Sequence, residues 1–118
     1  MASKNLTSRI SLLDTVPVRM PKITSEYGDD GLIVLAYPRF PYPWMGKLFP
    51  RYSAYIHVPL EKYGTAVWEQ IDGVRTVAEI AEIVKQQFPE EADTLQGRVA
   101  TYIQQLHKDR FISLLCRP

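Results

Sequence analysis

This sequence has few of the groups from which catalytic and metal sites are built. It holds one cysteine, Cys116, and two histidines, His57 and His107. A single thiol cannot close an internal disulfide, so a reducing cytoplasm is the expected compartment. No C-x-x-C or H-x-x-x-H pair occurs, and the three soft ligands are widely spaced, so no metal is expected. Cys116 would need a base and an electropositive pocket to act as a nucleophile, and close to the C-terminus it reads as inert. A glycine-rich phosphate loop is missing, no cofactor is implied, and enzyme activity is not expected. Long apolar runs are missing too: the first residues lack a stretch of signal-peptide length, and no later segment could span a bilayer. Asn5-Leu6-Thr7 matches the glycosylation triplet, but without a secretion signal the match is read as chance. Charge of one sign is also lacking. The 14 basic and 13 acidic residues leave a net charge of +1, which supplies no general attraction to nucleic acid or anionic membrane.

What remains is a chain of 118 residues, 46% hydrophobic, enough for one domain with a modest core. Residues 1–20 read as an N-terminal arm. Leu6, Ile10 and Leu13 fall on one face of a short helical turn that Pro17 and Pro21 stop. Residues 21–118 read as a single domain. Strands are expected at 21–27 and 31–37, joined by the turn Asp29-Asp30-Gly31. Another is expected at 53–58, where Ile56 and Val58 alternate with Tyr55 and His57 until Pro59. Between them lies a proline- and aromatic-rich insertion at 38–52. Over residues 37–52 there are four prolines, six aromatics and three basic residues, with no acid. That many prolines exclude a central strand or a long helix.

Beyond Pro59 the pattern is helical. Leu60, Tyr63, Gly64, Val67, Trp68 and Ile71 share one apolar face, and Asp72-Gly73 ends it. Thr76 and Glu79 have the spacing of a capping box that opens a second helix. Its inward residues are Val77, Ile80, Ala81, Val84 and Phe88, up to Pro89. A third helix has Asp93 as its expected N-cap and Leu95, Val99, Ile103 and Leu106 facing inward. It frays near 108–110, and residues 111–115 suit a short closing strand. Strands followed by helices argue an α+β fold: a small three-stranded antiparallel sheet followed by three helices.

Several residues in this second half carry a resemblance. They are V-P-L at the strand exit, Gly64, the pair Val67-Trp68, Ile71-Asp72-Gly73, R-T-V-A-E-I from Arg75 to Ile80, and Y-I-Q-Q-L ahead of F-I. In this order they resemble the PqqD-like family, small peptide-binding domains also called RiPP recognition elements. The resemblance covers about half the chain; the arm and the insertion depart from it. It implies a winged-helix-like arrangement and no catalysis. The implied role is to hold the leader part of a ribosomally made precursor peptide and present it to a modifying enzyme, typically a radical S-adenosylmethionine (SAM) enzyme, in cofactor or modified-peptide biosynthesis. It further implies β-augmentation, in which the peptide adds a strand to a sheet edge. Here the edge corresponds to Tyr55, Ile56, His57 and Val58, with Ile56 expected to present a backbone N–H. The groove wall corresponds to Arg98, Tyr102 and Gln105.

Structural readings compete with functional ones. Trp68 and Tyr63 on an apolar helix face read as core. Asp72 reads as a turn residue paired with Arg75 rather than as an acid catalyst. The rings of the insertion either fold back over the sheet or form a docking surface for the partner enzyme or a second copy. Single-stranded nucleic acid and a membrane interface fit the same composition. A homodimer made by exchanging the hairpin stays open. The rival function is a winged-helix nucleic-acid binder. It is disfavoured by Glu79, Glu82, Glu90, Glu91 and Asp93 on and after the second helix, whereas Arg98, His107, Lys108 and Arg110 on the third keep it open.

Overall fold

Residues 12–40, 42 and 44–116 are described by a computed structural model of the chain. Leu6, Ile10 and the Asn5 triplet lie outside them, as do Pro41 and Pro43 of the insertion. The chain divides into two compact units, Met1–Met20 with Ala66–Pro118, and Pro21–Thr65.

The first unit is built around the helix corner. Helix α1 (Lys62–Glu69), which the unit boundary crosses, ends just before Asp72. The Asp72 carboxylate accepts hydrogen bonds from the backbone N–H of Val74 and of Arg75, each at 2.9 Å. Gly73 turns the chain at φ 80°, a left-handed value that glycine adopts without a Cβ clash. Thr76 then opens helix α2 (Val77–Gln87). Its hydroxyl accepts from Glu79 N–H at 3.2 Å, while Glu79 Oε1 accepts from Thr76 N–H at 2.8 Å, a complete capping box. After a 3-10 turn at Pro89–Glu91, helix α3 (Ala92–Lys108) packs against α2. Its N-cap is Glu91 without a side-chain bond, so Asp93 lies inside the first turn rather than capping it.

The apolar stripes read from the sequence meet in this unit. Val67, Trp68, Ile71, Ile80, Val84, Val99, Ile103 and Leu106 are all buried. The Arg19 guanidinium lies 4.9 Å from the Trp68 ring centroid and donates to the Trp68 carbonyl.

Part of the expected arm is strand. β1 (Thr15–Arg19) pairs antiparallel with the C-terminal strand β5 (Ile112–Cys116), Pro17 opposite Leu114. Met20 N–H donates to Phe111 C=O, so the bonded pairs continue at Val18/Ser113 and Val16/Leu115. Pro17 falls between them, where its missing N–H would have pointed away from β5. A proline is tolerated there, and the strand forms where a breaker was read.

The second unit is a three-stranded antiparallel sheet in the order β2 (Thr24–Tyr27), β3 (Ile33–Pro38), β4 (Tyr55–Pro59). The β2–β3 turn closes through Gly28 N–H to Leu32 C=O at 2.7 Å, with Gly31 at φ 80°. Ile33 and Leu35 are buried on one face of the central strand. The fold is therefore α+β with the expected antiparallel sheet. The order differs from strands-then-helices: β1 and β5 form a separate ribbon, and a single helical turn (Met45–Leu48) sits inside the insertion.

Candidate functional site

Strand β4 ends its sheet, so one side is open among the described residues. Which groups face that side follows from the register. In an antiparallel pair, bonded and non-bonded residue pairs alternate. Arg39 N–H donates to Ala54 C=O at 2.9 Å, and Leu60 N–H to Ile33 C=O at 2.8 Å. The bonded pairs between them are Tyr37/Ile56 and Leu35/Val58. Ile56 and Val58 thus turn their backbone groups toward β3, and Tyr55, His57 and Pro59 turn theirs outward. The expected edge donor at Ile56 is corrected to His57.

The open edge is short. Tyr55 N–H donates to Ser53 Oγ at 3.2 Å, and the same hydroxyl donates to Tyr55 C=O at 2.6 Å. Pro59 has no N–H. His57 is left as the residue offering both a donor and an acceptor to a fourth strand. Side chains alternate across the strand: Tyr55 and His57 are exposed on the face that also carries Thr24, Glu26, Val34 and Ala36, while Ile56 and Val58 are half-buried on the other.

On α3, the stripe Leu95, Val99, Ile103 and Leu106 is buried. The helix turns Arg98, Tyr102 and Gln105 to one side, where with Asp93, Thr94, Gly97 and Thr101 they line a shallow hollow open to solvent. Gly97 leaves the gap; a Cβ there would meet nothing within 4 Å. Arg98 pairs with Glu91 at 3.6 Å, and Gln105 donates to Asp109 at 3.0 Å. The structure thus groups Tyr55, Ile56, His57 and Val58 on one strand of the second unit, and Arg98, Tyr102 and Gln105 on one helix of the first.

Asp72 is a structural residue. Its carboxylate also pairs with Arg75 at 3.1 Å, as the local reading expected. The backbone N–H of Arg75, then that of Val74, hold its carboxyl below the usual carboxylate range. Among the described residues no group of three or more His, Cys, Asp and Glu is placed to hold a metal, and no helix is long and apolar enough to cross a membrane.

The insertion is the part of the second unit least legible in its sequence. Most of its rings do not fold back under cover: Tyr42, Trp44, Phe49 and Tyr52 are 44–59% exposed. They stack on one another instead, Phe40 on Phe49 at 5.6 Å and Tyr42 on Trp44 at 6.2 Å.

No curated protein and no solved structure matches the chain. The family model of coenzyme PQQ synthesis protein D (PqqD) matches residues 50–112. That span begins just ahead of β4 and runs through the capped corner and α3 into β5, more than half the chain. The protein belongs to the PqqD family.

Proposed function

We propose that this protein is a non-catalytic peptide-binding chaperone. It holds the leader of a ribosomal precursor peptide as a fourth strand beside β4 and presents it to a modifying enzyme, a radical SAM enzyme, in cofactor or modified-peptide biosynthesis. Family membership suggests the pathway. The observation that carries the mechanism is the open β4 edge, with the His57 backbone turned outward. A winged-helix-like arrangement of the helices belongs to the same proposal; a homodimer does not.

One free residue on an edge supplies few backbone bonds, and backbone bonds tolerate any sequence. Affinity and selectivity therefore rest on side chains. Tyr102, half-buried on α3, offers a ring with a polar tip, and Arg98 can exchange Glu91 for a peptide carboxylate. The nucleic-acid reading finds less support, because Glu79, Glu82, Lys85, Gln86 and Gln87 form the exposed side of α2.

The test is calorimetric titration with the leader of the precursor encoded beside this gene. Tyr102→Ala is expected to weaken binding by about 1–2 kcal/mol, roughly five- to thirtyfold. His57→Pro removes the outward N–H and is expected to weaken it further. Unchanged affinity in both variants contradicts the proposal.

A further inference from the structure

The insertion builds a pocket that the family match, which begins at residue 50, largely leaves out. The pocket has a volume of about 520 Å³ and belongs wholly to the second unit. Pro38, Phe40, Tyr42 and Tyr55 form its apolar wall, and among the described residues Lys22 is the one charged residue that lines it. The volume falls within the usual range of ligand sites, and aromatic walls with few polar groups are their common lining.

The wall is braced. Phe40 stacks on Phe49 at an interplanar angle of 18°, and Phe49 meets Tyr52 edge-on with centroids 6.3 Å apart. The Arg39 guanidinium lies 5.5 Å from the Tyr52 ring centroid and donates through Nε to Ser53 C=O at 2.9 Å. Ring contacts therefore tie the pocket to the residues that lead into β4. Tyr55 belongs to both, as the first residue of β4 and as a wall of the pocket.

Charge narrows the occupant. Residues 37–52 carry three basic side chains and no acid. Lys22, Lys47 and Arg51 are exposed and make no ion pair among the described residues. An acidic segment satisfies them. The rings favour an aromatic side chain, which can stack or meet them edge-on.

We propose that this pocket is a second peptide subsite, taking an aromatic side chain of the bound leader while Lys22 holds an acidic residue next to it. The inference rests on the peptide-binding reading above. A leader paired beside His57 runs toward Tyr55 at one end, and its next outward side chain on that face enters the pocket. The subsite supplies selectivity that the short edge cannot.

The test uses randomised peptides displayed on phage, selected on the full chain and on two variants. Gly46→Leu puts a side chain at the pocket: Gly46 lies in a helical turn without a positive φ, and a Cβ there would meet nothing closer than Phe40 at 3.9 Å. Lys22→Glu reverses the charge at an exposed position. Peptides selected on the natural chain are expected to share an aromatic residue beside Asp or Glu. Gly46→Leu should lose the aromatic preference and bind the best synthetic peptide at least about tenfold more weakly, which is about 1.4 kcal/mol. Lys22→Glu should replace the acidic preference by a basic one, so a charge swap remains readable if the other variant fails to fold. Peptides that shift the His57 amide but bind all three proteins equally overturn the subsite and leave the edge reading intact. No peptide selected at all overturns both. Binding of oligothymidine or phosphatidylserine vesicles that Gly46→Leu and Lys22→Glu weaken, with peptide selection unchanged, reassigns the surface and overturns the subsite.

Discussion

Helix α2 and the insertion are similar in length and both rich in large apolar residues, but they use them in opposite ways. Val77, Ile80 and Val84 of α2 are fully buried, its first turn is capped at both partners, and Asp72 fixes the chain that enters it. The insertion keeps Tyr42, Trp44, Leu48 and Tyr52 more than half exposed and supports its rings mainly with each other. Burial of the first kind drives folding. Exposed aromatics beside basic residues are instead a common feature of recognition surfaces. Damage to the helical corner should therefore appear as lost stability, and damage to the insertion as lost binding.

The sharpest contrast is between the two tryptophans. Trp68→Ala is expected to destabilise the protein by about 3–5 kcal/mol, the range for truncating a buried large aromatic. Trp44→Ala should stay within about 0.5 kcal/mol. Denaturant unfolding measures both. A loss below about 1 kcal/mol for Trp68, or a large one for Trp44, breaks the division.

Removing the cap comes next. Thr76→Ala deletes the hydroxyl that accepts from Glu79 N–H and should cost about 1 kcal/mol. A substitution in the other direction is available at the end of α3, where Arg110 adopts φ 65° and Phe111 N–H donates back to Leu106 C=O at 2.9 Å. Arg110→Gly relieves the left-handed strain of a residue with a Cβ and should raise stability by up to about 1 kcal/mol. A drop in the unfolding midpoint contradicts that account.

The smallest effect is pH dependence at Asp72. Its carboxyl is lowered in the folded state, so its ionised form adds stability that is present above the ordinary carboxylate pKa. That contribution is lost as pH falls through the lowered value. The Asp72→Asn variant should show a flatter decline in stability below about pH 4. Parallel declines in the two proteins contradict the assignment.

The helical half was legible because its rules are local. Helical spacing picked out the residues from Val67 to Leu106 that fill the core, and Thr76 and Glu79 announced their cap three residues apart. β1 was not legible. Pro17 reads as a breaker, and only its place between two bonded pairs with β5, nearly a whole chain length away, makes it harmless. The same reason hid the edge donor: alternation identified the faces of β4, but choosing His57 over Ile56 requires the register with β3. The insertion offered composition without periodicity, so its ring-on-ring stacking had no sequence signal.

The most direct test of the central claim is an amide-shift titration of isotopically labelled protein with the leader of the precursor encoded nearby. The account predicts saturable shifts at His57 and its neighbours on β4 and at Arg98, Tyr102 and Gln105 on α3. Slowed exchange of the His57 N–H should accompany them, as that donor joins a new strand. Shifts confined to α2, or no response to peptide beside tight and salt-dependent binding to duplex DNA, would contradict it.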